Sequence, residues 1–179
     1  MLSVPGITID EEISVACPPS IVLDAIRRYL RAQDDVVQLV IPVGPPERLR
    51  AVAVMTRVQM EHEPHPNKAF IARYDDRVVI RCSPLDDFGP SLDARFTIRP
   101  HGAGTQLCLK GKCRMPEASL DALIPGAAFD QRAASAMIRA WLETLKVVLE
   151  NDFGTLLEFM GSKKLWQLAK TGRTASSAT

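Results

Sequence analysis

The sequence predicts an α+β domain in which a curved, seven-stranded antiparallel sheet wraps around one long helix near the C-terminus. Between Ile7 and Met115, apolar and polar residues alternate in short runs, as expected of half-buried strands. Short turn sequences separate most of these runs, which favours antiparallel pairing. In the stretch Ala122 to Asp152, and above all in its second part from Arg132, the apolar spacing changes to three and four residues, which predicts one long amphipathic helix.

The N-terminal part of the chain predicts a strand followed by one or two short helices. The strand spans Ile7 to Ala16, and the segment Cys17 to Ser20, with two prolines, stops it. Proline is compatible with the first turn of a helix, so the helical segment is expected over Ile21 to Gln33. Asp34 and Asp35 end that segment.

Six further strands are predicted, each a run of apolar and β-branched residues bounded by turn residues. Asp75 and Asp76 are expected to join the third and fourth of these runs in a tight hairpin, and Pro100 to Gly104 the last two. The predicted strands are Val36 to Pro42, Leu49 to Glu61, Ala69 to Tyr74, Arg77 to Ser83, Leu92 to Ile98 and Thr105 to Met115.

The long helix has an apolar face that needs a large partner, and the sheet is the natural one. Together they predict one domain over residues 1–152. Residues 153–179 form a C-terminal amphipathic extension that ends in a disordered tail from Thr171. We expect the segment Phe153 to Lys170 to dock on protein, either its own domain, a partner or a second copy, in preference to a membrane surface.

Composition narrows the function classes. The 179 residues include 22 basic and 21 acidic side chains, so there is no concentrated basic face to suggest nucleic acid as a partner. No apolar run approaches the ~18 residues of a membrane span, and no leader pattern is present, so a cytoplasmic protein is expected. The four cysteines form no CxxC pair, which supports neither zinc nor a redox motif. No cofactor is predicted.

Three segments carry a family resemblance. The first, Val15 to Ile26 (VACPPSIVLDAI), runs from a strand through two prolines into a helix. The second, Phe96 to Lys112, is the last predicted hairpin, and the third, Ala133 to Leu149, belongs to the long predicted helix. In this order and spacing they resemble the helix-grip superfamily that includes START domains, birch-pollen-allergen-like proteins and polyketide cyclases (the SRPBCC group). The match covers about Ile7 to Asp152. Leu23 departs from it, because many members have an aromatic residue there.

The resemblance implies a cavity between the sheet and the long helix that holds a lipid, sterol, quinone or polyketide. Such scaffolds host both carriers and enzymes, so three hypotheses follow. The first is binding or transport of a hydrophobic small molecule or lipid. The second is a cofactor-free cyclase or dehydratase acting on a polyketide-like or aromatic substrate. The third is a partner-binding module that uses the C-terminal extension.

The candidate ligand contacts lie on the inward phase of the strands or the apolar face of the long helix: Val54, Thr56, Val58, Phe70, Tyr74, Ile80, Phe96, Leu109, Met137, Trp141 and Leu145. For Trp141, ordinary core packing is an equal alternative, although a buried indole N–H needs a partner. The hydroxyls of Thr56 and Tyr74 can orient a ligand or simply bond a neighbouring backbone group.

Glu11 is the candidate catalytic carboxylate, with Tyr74 as its polar companion. It shares the strand phase of Ile9 and Ile13, and a carboxylate facing a dry cavity can serve as an acid or base. The alternative is a carboxylate near the cavity mouth that pairs with an arginine.

No metal site is predicted. The segment Glu61 to His65 contains ligand-type residues, but it lies at a proline-rich turn and has no third histidine nearby, so solvated loop residues are the better interpretation. His101 lies in a hairpin turn.

Overall fold

The structure is a computed structural model that describes residues 6–43, 50–62, 76–85, 89–116 and 129–174. These residues form six strands and two helices. In chain order they are β1 (Ile7–Val15), α1 (Pro19–Ala32), β2 (Val36–Val43), β3 (Arg50–His62), β4 (Asp76–Pro84), β5 (Ser91–His101), β6 (Gly104–Arg114) and α2 (Gln131–Thr174).

All six strands pair antiparallel in one strongly curved sheet of order β1-β6-β5-β4-β3-β2. Strands β2 to β6 form a meander, and β1 adds to the outer edge of β6, with Ile9 opposite Gly111. The two edge strands are therefore β1 and β2, and α2 packs against both of them. One helix thus closes the concave side of the sheet, which confirms the predicted helix-grip architecture.

The sheet of the described residues has six strands, not the predicted seven. The tight hairpin expected between the runs Ala69 to Tyr74 and Arg77 to Ser83 is wrong, because β4 already pairs with β3 on one side and β5 on the other. A strand has only two hydrogen-bonding edges, so no third neighbour can join it there. The segment Ala69 to Tyr74 itself lies outside the described residues.

Helix α1 carries the chain from one edge of the sheet to the other. Pro19 lies in its first turn, where the missing N–H costs no helical hydrogen bond. After the helix, Asp34 (φ 53°) and Asp35 (φ 58°) adopt left-handed backbone conformations, and the Asp35 N–H donates to the Leu30 carbonyl at 2.9 Å. Aspartate is among the few non-glycine residues that tolerate this region, so the pair turns the chain sharply into β2.

Pro42 lies within β2, opposite Ala51 of β3. Proline cannot donate to a strand ladder, so it is tolerated here because β2 is an edge strand.

The two faces of the sheet differ in burial, as the alternation of apolar and polar residues in the sequence predicted. In β5, buried and exposed residues alternate from Ser91 to Ile98, and the same phase continues across β4 and β6. The buried face contributes apolar side chains from every strand, and α2 adds its own apolar stripe. The α2 members of the core are Ala134, Met137, Ile138, Trp141, Leu142, Leu145 and Leu149.

Helix α2 begins at a defined cap and runs for 44 residues. The Asp130 carboxylate accepts a hydrogen bond from the Ala133 N–H at 2.9 Å, which satisfies a backbone donor of the first turn. The helix passes through Asp152, the predicted domain boundary, and continues to Thr174. It therefore includes residues 171–174, which the composition predicted to be disordered, while residues 175–179 lie outside the described part of the chain.

Gly111 in β6 lies in close contact with the backbone of the neighbouring strand β5. A Cβ atom there would overlap the carbonyl oxygen of Asp93 and the Cα of Ala94 on β5. Glycine at such a point allows two backbones to approach each other within a curved sheet.

We expect Gly111→Ala to destabilise the fold by about 1–3 kcal/mol, since the added methyl group must displace backbone. Gly154→Ala on α2 is the matched control: nothing lies within 4 Å of the added Cβ, and alanine favours a helix interior by up to about 1 kcal/mol. Urea unfolding of the two variants should therefore shift in opposite directions, and equal stabilities would contradict this account of Gly111.

Candidate functional site

The core between the curved sheet and α2 contains nine of the eleven predicted ligand-contacting residues. All nine are buried on the inner side of the sheet or on the apolar face of α2. They are Val54, Thr56, Val58, Ile80, Phe96, Leu109, Met137, Trp141 and Leu145. The other two, Phe70 and Tyr74, lie outside the described residues.

Strand register aligns these side chains in rows across the sheet. One row runs through Val78, Phe96 and Leu109 on β4, β5 and β6, and it ends at Glu11 on β1. Glu11 therefore shares the inward face with apolar neighbours, but it stands on the edge strand of the sheet.

The Glu11 carboxylate is held by an arginine. Its Oε2 accepts hydrogen bonds from Nη2 of Arg139 at 2.8 Å and from Nε at 3.2 Å. The carboxylate side chain is 8% exposed, whereas the Arg139 side chain is 70% exposed, so the pair lies at the rim of the interior. The hydrogen bonds from Arg139 to Glu11 raise the pKa of that guanidinium above its usual value. This geometry matches the arginine-paired alternative for Glu11.

Two further polar contacts fix the same flank of α2 to the N-terminal strand region. The Gln131 side-chain amide donates to the Thr8 carbonyl at 2.7 Å, and the Glu150 carboxylate accepts from the Ala16 N–H at 2.9 Å. Together with Arg139, these residues attach α2 to β1 along about five turns of helix.

Two polar atoms inside the core have no hydrogen-bond partner among the described residues. They are Oγ1 of Thr56 and Nε1 of Trp141, on side chains that are 0% and 4% exposed. Leaving a buried donor or acceptor unpaired costs about 1–3 kcal/mol, and native proteins keep few such groups. The sequence predicted both residues as ligand contacts, but it could not show that their polar atoms have no hydrogen-bond partner among the described residues.

Both unpaired atoms belong to the β2–β3 side of the interior. Trp141 is two residues from Arg139 and so lies about 200° around the helix from it. Since Arg139 faces β1, Trp141 lies on the flank directed toward β2, the other edge strand that α2 contacts. Thr56 is on β3, directly opposite Val37 of β2. The site is therefore polarised, with an ion pair at the β1 rim and neutral polar groups at the opposite side.

An apolar groove of about 410 Å³ separates α1 from the C-terminal half of α2. Ile21 and Ala25 of α1 face Leu149, Phe153 and Leu156 of α2 across it. The sequence did not predict this groove, although apolar residues continuing past Asp152 were a signal that the helix extends beyond the core.

Metal ligands are not clustered. The described residues contain no group of three or more His, Cys, Asp or Glu side chains suited to a metal ion. Glu61 instead forms an ion pair with Arg81, with Nη1 and Oε1 2.9 Å apart. His101 is exposed at the end of β5, beside the Gly102 turn.

All four cysteines are free thiols. Burial raises the pKa of the Cys17 thiol to about 11, with a further contribution from the Glu150 carboxylate. Burial also raises the pKa values of Cys82 and Cys113 to about 12. Cys113 is on the inner face, whereas Cys108 is on the outer face, with its Sγ 3.9 Å from the Glu12 carboxylate. These thiols stay protonated at neutral pH, which makes them poor nucleophiles.

Within the described ranges, neither helix has the length and hydrophobicity needed to cross a membrane.

Comparison with solved structures finds similar chains at low identity. A protein from Chromobacterium violaceum is 15% identical, with 82% of this chain and 99% of that one covered and a TM-score of 0.46. The di-domain ARO/CYC StfQ of the steffimycin biosynthetic pathway is 13% identical, with 83% and 52% covered and a TM-score of 0.47. Ara h 8.0201 is 12% identical, with 82% and 97% covered and a TM-score of 0.42. No protein-family model and no curated protein matches the chain. At this level of likeness no activity or ligand is carried over.

We expect stability to fall as pH rises above about 9, because thiols that ionise near 9 in the unfolded chain have pKa values near 12 in the folded protein. The stabilisation by a buried neutral thiol is complete below pH 9 and is lost between about 9 and 12. By pH 10.5, ionisation of each such thiol in the unfolded chain should lower the free energy of unfolding by about 2 kcal/mol. Thermal unfolding from pH 8 to 10.5 measures this loss. Cys82→Ala should show a shallower decline, and an identical decline would rule out the Cys82 contribution.

We expect Arg139→Met to destabilise the protein, because it leaves the nearly buried Glu11 carboxylate without a cation. Adding Glu11→Gln to that variant should restore part of the loss. Arg132→Met, on an exposed position of the same helix, is the control. Urea unfolding of these proteins, together with the Glu11→Gln single variant and the wild type, tests the pair, and additive effects of the two substitutions would show that Glu11 and Arg139 are not coupled.

Proposed function

We propose that the protein binds a hydrophobic small molecule or lipid between the sheet and α2, and that this ligand has a polar atom near Thr56 and Trp141. The observation that supports this most directly is that two buried polar atoms, Thr56 Oγ1 and Trp141 Nε1, have no hydrogen-bond partner in the part of the chain that the structure describes. Ligand pockets typically combine apolar walls with a few polar groups that fix orientation. Here the surrounding walls are apolar on β3, β4 and α2.

The chemistry of the two groups defines the polar part of the ligand. An indole N–H can only donate, whereas a threonine hydroxyl can donate or accept. The ligand should therefore offer an acceptor such as a carbonyl, ether or hydroxyl oxygen to Trp141. That oxygen should be uncharged, since the inner-face residues Val37, Leu39 and Ile41 of β2 and those from Val52 to Met60 of β3 include no ionisable side chain to pair with a buried charge.

A cyclase or dehydratase that uses Glu11 and Tyr74 has less support. Both hydrogen bonds to Glu11 Oε2 come from Arg139, at the rim opposite the unpaired groups. Tyr74 lies outside the described residues, so no observation brings the two side chains together. We therefore propose binding, without a catalytic step, as the function.

The direct experiment is organic extraction of the purified protein, followed by mass spectrometry of the extract and native mass spectrometry of the intact complex. We expect a stoichiometric hydrophobic compound with at least one neutral oxygen. A protein that retains no compound and binds no apolar fluorescent probe would contradict the proposal.

Trp141→Phe and Thr56→Val remove the polar atom and keep most of the side-chain volume. Each should weaken binding of an oxygen-bearing ligand by roughly 2- to 10-fold, the worth of one hydrogen bond. Each should also leave the ligand-free protein as stable as the wild type or more so, because an unpaired buried group is lost. Trp166→Phe and Thr144→Val, on the C-terminal half and the exposed side of α2, are matched controls. Unchanged affinity in both test variants would exclude these contacts.

A further inference from the structure

The convex side of the sheet, which faces away from α2, is strongly basic on its three central strands. Every second residue of β4, β5 and β6 points outward, because side chains alternate along a strand. One acidic side chain is described at these outward positions, Asp93. The basic side chains there are all exposed, and they are Arg77, Arg81, Arg95, Arg99, Lys110, Lys112 and Arg114.

This concentration of charge is a property of one face and not of the whole chain. The described outward positions of all six strands hold eight basic and four acidic side chains, a net charge of +4, whereas the whole chain has a formal charge of +1. The outer strands add Arg57, Asp10, Glu12 and Glu61 to the set above. The composition predicted no concentrated basic face, and this is wrong for the convex side, because the balancing acidic residues lie elsewhere in the chain.

The acidic side chains described on this face are too few to neutralise it, and their ion pairs are weak. Lys110 Nζ lies 2.8 Å from the Asp10 carboxylate, and Arg81 Nη1 lies 2.9 Å from that of Glu61. All four side chains are more than half exposed. Exposed ion pairs contribute little to stability, so an anionic partner can compete for these cations.

The same convex side has an exposed apolar corner, formed by Val40, Met55 and Leu85, which are 40%, 46% and 48% exposed. The Leu85 N–H donates to the Met55 carbonyl at 3.1 Å, so these two residues are neighbours across β3 and the end of β4. Val40 of β2 lies opposite Ala53, two residues from Met55. Arg57 is the next outward residue of β3, so the apolar corner adjoins the basic strands.

Cations beside exposed apolar side chains are the combination that binds an anionic membrane surface. Each Lys or Arg near such a surface favours binding by about fivefold, and apolar side chains insert at the level of the headgroups. A nucleic acid would use the cations but not the apolar corner. The described outward residues of the sheet also include no Phe, Tyr or Trp on which a base could stack.

We propose that the protein docks on anionic membranes through the convex side of the sheet. The outward cations of β4, β5 and β6 lie against the headgroups, and the apolar corner inserts among them. This face is opposite to the one that packs against α2, so the proposal does not rest on ligand binding. A bilayer is nevertheless where hydrophobic molecules are stored, which suits a protein that binds one.

Co-sedimentation of the full chain with vesicles tests the basic part of this face. We expect the wild type to bind vesicles that mix phosphatidylcholine with phosphatidylserine, to ignore pure phosphatidylcholine and to be released by high salt. Lys112→Glu combined with Arg114→Glu should weaken binding roughly 30-fold or more, since two cations are lost and two anions are added.

The matched control is Arg31→Glu combined with Arg132→Glu, which changes the net charge equally at exposed positions of α1 and α2. This control should retain most of the binding. A wild type that ignores the anionic vesicles, or equal losses in the two double variants, would overturn the proposal.

Met55→Thr tests the apolar corner, with folding checked by circular dichroism. It should weaken vesicle binding about 3- to 10-fold, because less apolar surface leaves water on insertion. Val147→Thr, at a residue that is 57% exposed on α2, is the control and should bind like the wild type. Equal binding by Met55→Thr and the wild type would contradict the proposed orientation.

Duplex DNA of mixed sequence distinguishes the other polyanion. We expect weak binding that does not depend on Met55. If the duplex binds the wild type but not the variant with Lys112→Glu and Arg114→Glu, and the anionic vesicles do not bind, the partner is a nucleic acid and the membrane proposal is wrong.

Discussion

The structure depends on the burial of one helix face across both edges of a curved sheet. Curvature leaves a concave apolar surface and brings β1 and β2, the first two strands of the chain, to opposite sides of it. Helix α2 contacts both, and its apolar stripe covers the space between them. Loss of this packing would expose the inner side chains of every strand, so the sheet and the helix are stable only together.

The two flanks of α2 are chemically different, and this difference organises the interior. Toward β1 the contacts are polar, with Arg139 on Glu11 and Gln131 on the Thr8 carbonyl. Toward β2 the walls are apolar, and the Trp141 indole among them has no hydrogen-bond partner in the described ranges. The ion pair is tolerated at the rim because the Arg139 guanidinium is exposed to solvent there. Deeper inside, the low dielectric environment favours neutral hydrogen-bonding groups over charges.

The same helix links the interior to a second surface. Its N-terminal half packs against the concave side of the sheet, and its C-terminal half carries the exposed side chains of Leu156 and Met160.

The spacing of apolar residues was enough to predict the six described strands and both helices. It also predicted the inward phase that contains Thr56, Glu11 and Trp141, because alternation and helical spacing are local properties of the chain. It did not determine which strands pair: β1 joins β6, almost a hundred residues later, and β4 takes β3 as its neighbour, not the run Ala69 to Tyr74. Partner choice depends on contacts distant in sequence. The same is true of the Arg139 partner of Glu11 and of the lack of a hydrogen-bond partner for Thr56 and Trp141 among the residues that the structure describes. Only the tertiary structure shows whether a buried polar atom is satisfied, since that depends on what other elements bring within hydrogen-bonding distance.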